Sequence, residues 1–114
     1  MTTEETRSVL ERHLIAWRAG DVDGVMELWA EDGVLVNAAG ILVGKDAIRP
    51  FYHEVFTKYF PDDVRQAADL SNTKVEGDVA FCEWEGGIAE YAADTIIVQG
   101  GKKVAHTFSA KYLP

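Results

Sequence analysis

The segment RHLIAWRAGDVDGVMELWAEDGVLVN, from Arg12 to Asn37, constrains the fold more than any other stretch of the chain. Leu10, His13, Leu14 and Trp17 recur at i, i+3, i+4 and i+7, which places them on one face of a helix running from about Glu4 to Ala19. Gly20 ends that helix as a C-terminal glycine does. Asp21 then caps a short second helix, its carboxylate accepting free backbone N–H groups, and Val22, Val25, Met26 and Trp29 form the buried stripe. Gly33 releases the chain into a strand, Val34 to Asn37. Two amphipathic helices feeding a strand build one wall of a pocket. A histidine lies on the apolar side of the first helix and an asparagine on the strand.

Ala38–Ala39–Gly40 turns the chain, and Ile41–Leu42–Val43 pairs back. Gly44–Lys45–Asp46 opens a third helix with a wide apolar face: Ile48, Phe51, Tyr52, Val55, Phe56 and Tyr59. Pro50 either delays the start of this helix or kinks it, because it removes one i→i−4 donor, and Pro61 follows its end. From Val64 the period changes to two. Four strands are predicted, about Val64–Val75, Val79–Glu85, Tyr91–Val98 and Lys103–Tyr112, with glycine-bearing turns between them. Three helices followed by an antiparallel meander give an α+β domain, the helices packed on one side of a bent sheet.

The totals exclude several classes. A chain of 114 residues is a single domain, 1–114, and folding buries roughly two thirds of the surface it exposes when unfolded. The net charge of −8 repels phosphate backbones, so nucleic acid is not an expected partner. No apolar run approaches the roughly 18 residues of a membrane span, and the acidic N-terminus does not read as a signal peptide. A single cysteine, Cys82, excludes an intrachain disulfide and fits a reducing cytoplasm. His13, His53 and His106 are scattered without metal-ligand spacing, and no glycine-rich phosphate loop is present, so neither metal nor cofactor is expected.

The order helix, AGDVDGVMELWAEDGVLV, a turn, GKDAIRPFY and then four strands, with Asp94 ahead of a Gly–Gly hairpin, resembles the NTF2-like superfamily over nearly the whole chain. Its SnoaL-like and ketosteroid-isomerase-like branches are the nearest. The resemblance implies a cone-shaped barrel of three N-terminal helices on a curved, mainly antiparallel sheet, enclosing one apolar cavity. It also implies a homodimer formed through the outer sheet. Carried over by position, the isomerase branch's oxyanion-donor tyrosine falls at His13, its general-base aspartate at Asn37 and its oxyanion-hole aspartate at Asp94. Its supporting tyrosine is retained as Tyr52. A neutral amide cannot abstract a carbon-bound proton, so steroid-type isomerisation through Asn37 does not follow.

Each candidate has a structural alternative. His13 is either a core histidine bonded to a backbone carbonyl or a pocket acid/base. Asp94, among Ala92, Ile96 and Val98, is a pocket carboxyl that must be paired or protonated, or else an exposed edge position or a salt-bridge partner of Arg49, Lys102 or Lys103. His106 turns on hairpin register. A two- or four-residue loop pairs Asp94 with Thr107 and turns His106 away, whereas a three-residue loop sets His106 across from Asp94. Asn37 orients a ligand carbonyl or finishes a strand. Tyr52, Trp17, Trp29, Trp84, Phe56 and Phe108 are core residues, some of which line the cavity.

His13 and Asp94 are thus the catalytic candidates, in an acid/base enzyme of isomerase, cyclase or dehydratase type acting on a small apolar carbonyl compound. The alternatives are a non-catalytic carrier or sensor with the same pocket, or a dimerisation module whose pocket is filled by its own aromatic rings.

Overall fold

In the computed structural model, which describes residues 2–114, helix α1 spans Thr2–Ala19 and its apolar stripe faces inward: Val9, Leu10, His13 and Ala16 are buried. Gly20, at φ +68°, turns the chain out of α1, with its N–H and that of Asp21 closing onto the Trp17 and Ala16 carbonyls. Asp21 accepts from the Gly24 N–H and caps α2, Val22–Glu27. The next strand starts earlier than the sequence suggests. Strand β1 is Trp29–Asn37, so Trp29 belongs to the strand and not to the stripe of α2. The reason is a backbone bond: Lys103 N–H reaches the Leu28 carbonyl at 2.7 Å and draws the chain into the sheet there.

Strand β2, Gly40–Val43, pairs antiparallel with β1, and α3, Lys45–Glu54, follows. Pro50 sits inside α3 without delaying its start. The helix then widens into a π-helical turn, Val55–Tyr59. The strand expected over Val64–Val75 divides in two, and a fourth helix α4, Asp62–Ala67, precedes strand β3, Asp69–Glu76. Pro61 supplies the cap, its carbonyl taking the Arg65 N–H at 2.9 Å, and Asp62 and Asp63 suit the positive end of the helix dipole.

Strands β4, Val79–Gly86, β5, Ala89–Gln99, and β6, Lys102–Tyr112, complete a curved, unclosed sheet in the order β2-β1-β6-β5-β4-β3. Among the described residues, only the β1–β6 pair is parallel. The helices cover the concave face, where Ala80, Cys82, Trp84, Ala92, Ile96 and Val98 meet α1. Among the described residues, no helix is long and apolar enough to cross a membrane.

Why α4 sits where it does comes down to one buried cation. Arg65 is 1% exposed, and its Nη1 donates to the Phe56 carbonyl at 3.1 Å and the Phe60 carbonyl at 2.6 Å. Its Nε reaches the Arg18 carbonyl at the end of α1, Nη2 pairs with Asp62, and the guanidinium lies 4.9 Å from the Phe56 ring centroid. A Cβ at Gly20 would collide with this group. Arg65 therefore satisfies carbonyls that the π-turn and the end of α1 leave without donors. Replacing Arg65 with Met strands those carbonyls and should lower unfolding stability by about 2–4 kcal/mol. Urea denaturation measures this, and an unchanged midpoint would show that Arg65 does not tie these elements together.

Candidate functional site

Strand β6 carries the feature on which the site depends. Gly100 and Gly101, both at positive φ, make a two-residue turn that pairs Gln99 with Lys102 and Val98 with Lys103. Val104 is then bulged out, and the register resumes with Ile97 opposite Ala105, Ile96 opposite His106 and Asp94 opposite Phe108. Neither loop considered from the sequence describes this register. The loop has two residues, yet the bulge returns His106 to the inner face, diagonally across from Asp94. Lys103, which the turn itself sets inward opposite Val98, thus shares that face three positions before His106.

Lys103 is 0% exposed. Its Nζ lies 3.2 Å from His13 Nδ1 on α1, 3.1 Å from His106 Nδ1 on β6 and 3.3 Å from Tyr52 Oη on α3. The Trp29 ring of β1 closes the fourth side, its centroid 4.3 Å from the ammonium, within cation–π range. His106 Nε2 reaches Asp94 Oδ1 at 2.7 Å, and Asp94 Oδ2 accepts from Trp84 Nε1 at 2.8 Å and lies 3.8 Å from Cys82 Sγ. One buried polar chain thus runs His13, Lys103, His106, Asp94, Trp84. Arg49 and Lys102, the other cations weighed as partners for Asp94, are engaged with Asp23 and with the Glu27 carbonyl.

Burial sets the electrostatics. The Lys103 ammonium is pulled down to about 7 by desolvation, against the opposing attraction of Asp94. His13 is held well below its ordinary value by burial, then by Lys103 and by His106. Burial and Lys103 lower His106 as well, while Asp94 pulls it the other way. Burial first, and Asp94 second, raise Tyr52 and push the Cys82 thiol up to about 12.

Over this chain lies a pocket of about 730 Å³. His13, Asn37, Tyr52, Asp94 and His106 line it, with Trp17, Trp84 and Phe108 forming an aromatic wall. The Trp17 and Trp84 centroids are 5.1 Å apart and those of Trp84 and Phe108 6.1 Å apart, so the rings pack on one another as a continuous wall. Two of the aromatic residues weighed as cavity lining, Trp29 and Phe56, are not part of it. Trp29 is stacked on His106 at 6.0 Å, and Phe56 is turned to Arg65. Asn37 spends its Oδ1 on the hairpin, accepting from the Ala39 and Gly40 N–H groups at 2.9 and 3.2 Å. The exposed Ile41, Tyr59, Ile88 and Tyr112 ring the mouth. Among the described residues, no three His, Cys, Asp or Glu side chains are grouped to hold a metal.

Lys103 is the residue that sequence reasoning missed as part of the site. It follows Lys102 after a Gly–Gly turn, a pattern that reads as solvated, and nothing in KKVAH marks the bulge. The only signal was its reach to Asp94, and the contact proves to be through His106.

The low value of Lys103 makes a pH prediction. An unfolded lysine titrates near 10.4, so between about 7 and 10 the unfolded chain binds more protons and stability rises with pH. The depressed His13 acts in the same direction below about 6.5. Cys82 opposes this only above about 8.5, where an unfolded thiol ionises first. Urea unfolding should therefore show stability increasing from about pH 6 to about pH 8.5, and a flat or falling profile would contradict the burial of a titrating Lys103.

The sequence profile of the SnoaL-like domain family matches residues 10–109. No curated protein matches the chain in sequence. Among solved structures, an NTF2-like protein of unknown function from Mesorhizobium loti superposes with a TM-score of 0.80 at 24% identity, over 97% of this chain and 94% of that one. A Kribbella flavida protein provisionally named a ketosteroid isomerase gives 0.79 at 16% identity, over 100% and 84%. A Sinorhizobium meliloti protein provisionally named a polyketide cyclase gives 0.73 at 17% identity, over 89% and 93%. At such identities these structures speak to the fold alone. With the profile spanning most of its length and the curved α+β fold as that resemblance implies, the chain belongs to the SnoaL-like domain family.

Proposed function

We propose that this protein binds a small, mostly apolar carbonyl compound in the pocket and performs acid/base chemistry on it without a cofactor. The observation that carries this reading is the convergence of His13, Tyr52 and Asp94 on one apolar-walled pocket, backed by a buried ammonium. Asp94 serves as the base. Oδ2 accepts from Trp84 and weakly from the Cys82 thiol, whereas Oδ1 meets only His106 and keeps a lone pair for a proton from carbon. His13, held neutral, is a poor base but a sound hydrogen-bond donor, and with Tyr52 it binds the carbonyl oxygen as negative charge develops there. The fold neighbours named as isomerase and cyclase make enolising carbonyl compounds the first to test.

A non-catalytic carrier is the second reading, favoured by one observation: both oxygens of Asp94 are already hydrogen-bonded, which weakens their pull on a proton. A homodimer belongs to the proposal as well. Its support is the outer face of the sheet, where Val79 and Tyr91 are exposed beside Phe81 and Ile97. Sedimentation at a monomer mass would remove the dimer.

The catalytic reading is tested by exchange of α-hydrogens in D₂O, followed by NMR over a panel of hydrophobic cyclic ketones. The wild type should accelerate exchange of at least one ketone. Asp94→Asn should lower that rate about 10²–10⁴-fold while binding persists, and His13→Ala should cost about 10²–10³-fold. Binding of the panel without exchange supports the carrier. Full activity in Asp94→Asn would remove Asp94 from the base role.

A further inference from the structure

An ammonium group has three N–H donors and no acceptor. Lys103 Nζ faces three acceptors on three different elements, His13 Nδ1 at 3.2 Å, His106 Nδ1 at 3.1 Å and Tyr52 Oη at 3.3 Å. A ring nitrogen that accepts from an ammonium holds no proton, so a neutral imidazole must carry its proton on Nε2. For His106 an independent contact agrees. Its Nε2 lies 2.7 Å from Asp94 Oδ1, where a carboxylate takes an N–H. For His13, Nε2 is the nitrogen left over, and the His13 side chain lines the pocket.

We propose that Lys103 is the positioning residue of this site: by occupying Nδ1 of both imidazoles it fixes His13 as an N–H donor to the pocket, and by losing its proton it allows His13 to become a base. Lys103 does not line the pocket and acts only through His13, His106 and Tyr52. The inference rests on the reading of the pocket as the ligand site and deepens it. When the amine is neutral it offers a lone pair. His13 then carries its proton on Nδ1, donates to Nζ and turns a bare Nε2 to the pocket. One proton leaves the ammonium for solvent, and one moves between the two nitrogens of His13. No other bond changes.

The groups facing Nζ are His13 from α1, Trp29 from β1, Tyr52 from α3 and His106 from β6, with Asp94 of β5 behind His106. Asp94 is the only acid among them and favours the ammonium, while burial opposes it, so the exchange of roles falls near neutrality. His106 does not exchange, because Asp94 continues to require its Nε2–H.

The test is ¹⁵N NMR of the full chain labelled at histidine, since a protonated ring nitrogen and a bare one have well-separated shifts. In the wild type at about pH 6, where Lys103 is mostly charged, His13 and His106 should both show Nε2–H. At about pH 8.5, where it is mostly neutral, His13 should acquire a substantial Nδ1–H population while His106 stays as it was. Lys103→Met should free the His13 tautomer at both pH values, with the amide spectrum otherwise dispersed as in the wild type. A purely structural lysine would leave the tautomer untouched. Nδ1–H on His13 at the lower pH, or Nε2–H at both pH values in both proteins, overturns the proposal. Should the variant fail to fold, the wild-type titration alone decides. Absence of ketone exchange bears on the proposed catalysis and leaves this result standing.

Discussion

Everything distinctive about this protein depends on the burial of one ammonium ion. Taking a lysine head group out of water costs several kcal/mol unless its three donors are met. Here they are met by side chains from α1, α3 and β6 and by the face of an indole on β1. The compensation comes from groups distant in the sequence, so the site exists only when helices and sheet are assembled together. The nearest carboxylate in the network, Asp94, is one imidazole away. The charge is neutralised through His106 and not by direct contact, which leaves Asp94 beside the pocket.

The fold makes that arrangement possible by a local irregularity. Regular pairing from the Gly100–Gly101 turn would set residues of one parity inward along β6. The bulge at Val104 changes parity between Lys103 and His106, so both point under the helices. Among the helices Arg65 plays a comparable part, its fork holding the π-turn and α4 against the end of α1. The pocket itself is walled by Trp17, Trp84 and Phe108.

The sequence made much of this legible, for identifiable reasons. The stripe Leu10, His13, Leu14 and Trp17, the Gly20–Asp21 break and the period-two pattern read from Val64 are local signals, and the elements they mark are present except over 64–67, which is helical. Asp94 stood out because a carboxyl among Ala92, Ile96 and Val98 has no place without a partner. What could not be read was non-local. The helical Asp62–Ala67 depends on carbonyls of α1 and the π-turn, and the early start of β1 depends on a bond to Lys103. The inward facing of His106 together with Lys103 depends on a bulge that no residue type announces. Asn37 was legible only as two alternatives, and its amide oxygen caps a turn.

The most direct measurement is the titration of Lys103 itself, followed by the ¹³Cε shift of the labelled lysine in the intact protein. A buried ammonium shared by two histidines and a tyrosine should titrate at about 7, in step with the His13 ring resonances. A midpoint near 10.4, the value of a lysine in water, would place the amine outside this network and contradict the account.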